Sequence, residues 1–134
     1  MSYMSAPALQ AAVYAHLSGD AELAALVEAI HDAPPPGTPG GTHVVLGPEE
    51  VIDRSDVTGP GAEHRFMVSV LSDAPGFLPA KQAAARIAAL LPGAALELAA
   101  GRLVDLWFHQ AQARRLDGGA VRRIDLRFRA RIEG

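Results

Sequence analysis

A chain of 134 residues with 49% hydrophobic content is long enough to bury one core and suggests a single domain. It holds no cysteine, which excludes disulfides and thiolate metal sites, and no uncharged apolar run near the roughly 18 residues a membrane span needs. The formal charge of −3 conceals a split: residues 1–101 carry eleven acids against four bases, net −7, whereas residues 102–134 carry eight arginines against Asp105, Asp117, Asp125 and Glu133, net +4.

Residues 1–10 lack a basic region followed by an apolar run, so no signal peptide is read and the chain is expected to be soluble and made in the cytoplasm. Residues 5–18 read as a helix, with Leu9, Ala12, Val13, His16 and Leu17 on one face, Ser5 as cap and Pro7 in the first turn. Gly19 ends it, and Asp20 caps a second short helix that turns Leu23, Leu26, Val27 and Ile30 inward. Residues 33–41, A-P-P-P-G-T-P-G-G, form an exposed link.

A short β-branched run at 42–47 predicts a strand. Residues 48–63 read as a long acidic loop, a kind of segment often functional in compact domains. Residues 63–72 alternate as a second strand with Phe66, Val68 and Val70 on one side. A helix over 79–91 follows, opened by Pro79 and ended by Pro92-Gly93. Its buried stripe is Ala83, Ala84, Ile87, Leu90 and Leu91, with Lys81, Gln82 and Arg86 opposite.

Residues 102–114 form a third strand, and Asp117-Gly118-Gly119 turns the chain into the last one. Two registers are open. A two-residue turn places Trp107 and Ala111 on the core face; a five-residue turn places Val104, Leu106 and Phe108 there and sets Asp105 opposite Arg131. The second is favoured because it buries more apolar surface. The last strand, residues 120–132, alternates strictly: Ile124, Leu126, Phe128, Ala130 and Ile132 on one side, Arg123, Asp125, Arg127, Arg129 and Arg131 on the other. The expected fold is α+β in the order α-α-β-β-α-β-β. It is an antiparallel four-stranded sheet with a C-terminal β-hairpin, packed by helices on one face. Residues 1–134 form one domain, with 33–41 and 48–63 as appendages.

Chemistry finds little support. The glycines of 37–41 precede no lysine, so they cradle no phosphate. His16, His31, His43, His64 and His109 show no metal-ligand spacing, and no serine sits in a G-x-S-x-G turn. Glu49, Glu50, Asp53 and Asp56 lack the D-x-D-x-D-G pattern of a calcium loop. No catalytic, cofactor-binding or metal residue is assigned, and an enzyme is not expected. An acidic and a basic part in one small domain suit head-to-tail self-association. A solvated sheet face with cross-strand ion pairs explains the arginines equally well. Nucleic-acid binding through the arginine face is the competing reading; strict alternation and a single lysine (Lys81) count against it.

Leu9 to Leu17, Asp20 to Val27, the link Ile30 to Pro36, T-H-V-V-L-G, Phe66 to Ser72 and Arg122 to Ile132 together, in that order, resemble a family of small tailed-phage proteins, the tail-completion or tail-terminator family. The alanine- and arginine-rich style is similar to the version in gene transfer agents of alphaproteobacteria. The resemblance covers nearly the whole chain and implies a non-enzymatic α+β subunit. Its expected assembly is a ring, typically hexameric, at the head-proximal end of a tail tube. Implied partners are further copies of the chain, the tail tube protein and the head connector or adaptor, with DNA passing through the lumen and no membrane. On this reading Arg123, Arg127, Arg129 and Arg131, with Glu49, Glu50, Asp53 and Asp56, are the candidate contacts. A head-completion adaptor, one layer higher, is the near alternative.

Overall fold

In the computed structural model, which describes residues 3–32, 40–56 and 59–134, the strands are β1 (Ala29–His31), β2 (Thr42–Asp53), β3 (Gly61–Ser72), β4 (Arg102–Leu116) and β5 (Val121–Glu133). They lie in the order β1-β2-β3-β5-β4. β2, β3, β5 and β4 pair antiparallel, and β1 joins β2 in parallel. The fold is therefore α+β with a five-stranded mixed sheet, a correction to the four-stranded antiparallel sheet expected.

The additional strand was hidden by its period. Ile30 continues the spacing of Leu23, Leu26 and Val27, yet the second helix, α2 (Ala21–Ala24), is a single turn. Asp20 caps it as expected, its carboxylate accepting the Leu23 N–H at 2.8 Å. Past it, the Glu28 N–H donates to the Thr42 carbonyl at 2.7 Å, which brings the chain alongside β2.

The 48–63 segment is mostly strand rather than loop. β2 continues to Asp53 by slipping register between Leu46 and Glu49, so Pro48, which has no N–H to donate, sits where the ladder is already interrupted. The connection shrinks to 54–60. Of the 33–41 link, residues 33–39 lie outside the described residues.

The helices α1 (Ala6–Ser18) and α3 (Leu78–Leu90) cover one face of the sheet. They bury Leu9, Val13 and Leu17, and Ala80, Ala83, Ala84 and Ile87, against Val44, Leu46, Val68, Val70, Leu106 and Ile124, Leu126, Phe128, Ala130 and Ile132 of β5. Leu91 is buried as expected, whereas Leu90 is only partly so. The alanines of α3 let its backbone approach the strands closely. Phe128, 1% exposed, stacks on Phe66 at 5.6 Å and meets Phe108 edge-on at 5.9 Å. Truncating such a residue to alanine costs about 3–5 kcal/mol. Ser5 occupies the start of α1, but its hydroxyl caps nothing; it is buried without a hydrogen-bond partner among the described residues.

β4 and β5 meet through Leu116 and Val121, closed by a 3₁₀ turn at Asp117–Gly119. Asp117, Gly118 and Gly119 all have positive φ, which glycine accepts freely and aspartate more readily than most residues. Asp105 is indeed opposite Arg131, Leu106 opposite Ala130 and Phe108 opposite Phe128. Two irregularities then divide the register, one between Leu103 and Asp105 and one between Phe108 and Gln110. Val104 is left 46% exposed and Phe108 42% exposed, which corrects their expected burial. Beyond His109 the parity reverses, so Ala111 comes opposite Leu126 on the helix side.

Candidate functional site

The sheet face away from the helices carries Arg123, Asp125, Arg127, Arg129 and Arg131 of β5 beside Glu63, Arg65, Met67, Ser69 and Leu71 of β3. Four like charges on one strand repel unless each finds an acceptor. The structure supplies acceptors for three of them. Asp125, 4% exposed, accepts from Ser69 Oγ at 2.6 Å, Arg123 Nε at 2.8 Å and Arg114 Nη2 at 3.3 Å. Burial pushes the Asp125 carboxyl up. The hydrogen bonds from Ser69 and Arg123, with the charges of Arg123 and Arg114, outweigh that and hold it below the usual carboxylate range.

Arg129 lies 3.9 Å from Glu63 and donates to His109 Nε2 at 3.2 Å. Glu63 in turn accepts from Arg65 Nε at 2.6 Å, and that hydrogen bond lowers its pKa. Arg131 donates to the Arg54 carbonyl at 2.9 Å and to Glu133 at 3.2 Å. It lies across Gly61, where a Cβ would come within 2.3 Å of the guanidinium. Asp105, though opposite Arg131, turns its carboxylate to the Leu106 N–H.

Arg127 differs. It is exposed and has no ion-pair or hydrogen-bond partner among the described residues. It borders an open groove of about 420 Å³ whose walls include Pro48, Glu50, Met67, His109 and Gln110.

The four acids named as candidate contacts, Glu49, Glu50, Asp53 and Asp56, are dispersed. Glu49 points to the helix side and accepts from His64 Nδ1 at 2.6 Å; the imidazole is wholly buried and the carboxylate side chain only 11% exposed. Glu50, 66% exposed, reaches Arg65 at 3.4 Å on the opposite face. Asp53 closes β2 and accepts from the Ser55 hydroxyl and N–H, which lower its pKa. Asp56 exchanges backbone hydrogen bonds with Gly59.

Sequence reasoning did not identify Ser69, Glu63, Arg65 or Arg114 as partners of the arginine face. Only the pairing register brings them there. Nor did it find the Asp20–Arg86 pair, at 2.8 Å, which with the Leu23 N–H takes the Asp20 pKa to about 2. No cluster of three or more metal-ligating side chains occurs among the described residues. His64 and Glu49 have the geometry of an oriented base, but His64 is sealed beneath the sheet and reaches no substrate.

The charged face is thus neutralised largely within the subunit, and among the described residues Arg127 is the one of its four arginines that stands beside a groove without a partner. The chain belongs to the Tail completion protein gp17 family, whose model matches residues 11–133. It is similar to a solved chain described as "Virion of native gene transfer agent (GTA) particle": 59% identical, covering 99% of this chain and 100% of that one, with a TM-score of 0.92. A second solved chain, 17% identical over 98% of this chain and 97% of its own, superposes with a TM-score of 0.64 and shows the fold alone. No curated protein sequence matches. Family and likeness together make this a structural virion protein of the tail-completion kind, and not an enzyme.

Proposed function

We propose that the chain, acting as one domain, forms a ring of six copies on the head-proximal end of a tail tube. There it ends tube polymerisation and presents a surface to the head connector. DNA passes through the lumen without sequence-specific contact, and assembly takes place in the bacterial cytoplasm. The observation that carries this reading is the end-to-end likeness, at 59% identity, to a chain of a gene transfer agent virion.

Within it, Arg127 and its groove receive a carboxylate from a neighbouring subunit, the tube or the connector. Arg123, Arg129 and Arg131 act inside the subunit and hold the sheet face together. Glu50 offers an exposed acid on the same face, and the connections 33–41 and 54–60 serve as docking appendages. Dense positive charge in a DNA conduit retards passage by phosphate attraction, so the Arg127 groove faces away from the lumen. The internal partners of the other arginines also weigh against the nucleic-acid-binding alternative. A head-completion adaptor would share the ring and differ only in its neighbours.

Deleting the gene from a producing cell and viewing the particles by electron microscopy tests the reading. Tubes of uncontrolled length and unjoined heads are expected, with no rescue by Arg127→Glu. Joined particles at wild-type yield from the deletion strain contradict it.

A further inference from the structure

The sheet ends in two unlike edges, β4 and β1. β4 is fifteen residues long and buries only Leu106; from Phe108 to Arg115 every residue is exposed. Between residues 110 and 116 it pairs with β5 over seven consecutive positions without a bulge. The outer side of that stretch is consequently a regular row of backbone donors and acceptors, a template for another strand. Its sequence is basic, with Arg114 and Arg115 and no acid in residues 108–116; Arg114 is taken by Asp125 of β5 and His109 accepts from Arg129, so Arg115, over the Phe77 ring, is the cation there without a carboxylate partner among the described residues.

The opposite edge is acidic. Residues 20–32 hold Asp20, Glu22, Glu28 and Asp32 and no lysine or arginine. Arg86 takes Asp20 and Glu22, each at 2.8 Å. Glu28 and Asp32, both exposed and on either side of β1, have no cationic partner among the described residues; Asp32 accepts only from Gln10.

We propose that the 110–116 stretch of β4 receives the acidic β1 edge of a second copy, so that the sheet continues from one subunit into the next. The proposal rests on the ring reading above and supplies its contact. An interface between two different edges is heterologous, so every copy uses both edges and the series closes into a ring when the rotation per subunit fits. Backbone pairing provides the grip, and the unlike charges select β1 as the partner edge. Two β4 edges do not suit each other. Aligned antiparallel over 110–116, they bring four arginines into one short ladder with no acid in it, each Arg114 facing Gln112 and lying diagonal to the other Arg114 on the same face, where like charges oppose pairing.

The test uses the full chain and native mass spectrometry, with circular dichroism and melting temperature as folding controls. Wild type is expected as a closed oligomer. Ala113→Glu with Arg115→Glu, and separately Glu28→Lys with Asp32→Lys, should each shift it to folded monomer. All four substitutions in one chain, or the two double variants mixed one to one, should restore the oligomer. Overturning results are wild type as a monomer or a symmetric dimer, double variants that assemble like wild type, or a folded fourfold variant that stays monomeric. Expressed in producing cells, the same variants separate this contact from the tail role. Double variants still incorporated into particles remove the edge contact alone; a wild-type chain absent from particles removes the tail role alone.

Discussion

Replacing Asp125 by asparagine preserves its shape and removes the charge that three donors share. A hydrogen bond to a charged group contributes about 1.5–3 kcal/mol and a neutral one about 0.5–1.5 kcal/mol. The bond from Arg123, whose side chain is 25% exposed, therefore weakens by roughly 1 kcal/mol. Arg114, 49% exposed, is largely screened and adds about 0.5 kcal/mol. The bond from Ser69, wholly buried, contributes a comparable amount, giving a loss of about 2 kcal/mol in total. For 134 residues, an unfolding entropy of about 2.1 cal/mol/K per residue converts this to a fall in Tm of about 7 °C. Asp125→Ala, which also leaves the buried Ser69 hydroxyl proton without its acceptor although its oxygen keeps the bond from Arg123, should cost about 3–4 kcal/mol. The folded pKa of Asp125 is lowered, so its contribution is complete above the unfolded value of about 3.9 and disappears as pH falls through the folded value. Urea unfolding at pH 7 and pH 3 measures both effects. A Tm for Asp125→Asn within about 2 °C of wild type at pH 7 would refute the claim that this carboxylate holds the arginine face together.

The other predictions divide structural charges from docking ones. Arg127→Glu should leave stability within about 0.5 kcal/mol of wild type while abolishing incorporation into particles, measured by urea melts beside particle yield. Glu49→Ala should destabilise by about 1–3 kcal/mol, because it leaves both nitrogens of the buried His64 ring without a partner among the described residues; an unchanged urea midpoint would contradict this structural role. Gly101→Ala should lower Tm, since φ is +82° and the new Cβ would lie 2.4 Å from Ser5 Oγ and 2.9 Å from Ile132 Cγ2. Asp20 has a folded pKa of about 2. The stability it gives is present above its unfolded pKa and lost as pH falls toward about 2, a dependence that Asp20→Asn should remove from an acid-unfolding curve.

Much of the architecture was legible wherever one periodicity ran unbroken. β5 alternates over its whole length, β3 over most of its own, and α3 carries its stripe between two prolines. Errors arose where a local irregularity reset the pattern. Ala29–His31 is too short to show a period and inherited that of the turn before it. The predicted strand at 42–47 stops at Gly47 because the bulge that carries β2 past Gly47 and Pro48 leaves no mark in a single sequence. The irregularities in β4 divided its core-facing residues between two registers, so neither reading could hold along the whole strand. The arginines of β5 were equally visible, but their roles depend on what lies opposite. Ser69 satisfies Asp125 only because β3 pairs at that register, and Arg127 stands free only because Met67 and Gln110 are its neighbours.

The most direct test of the account is a cryo-electron microscopy reconstruction of particles containing this chain. Such particles should show a closed ring of identical copies between tail tube and head connector, with the Arg127 groove filled by an acidic side chain of a neighbour. A chain absent from the neck, or present there with that groove open to solvent, contradicts it.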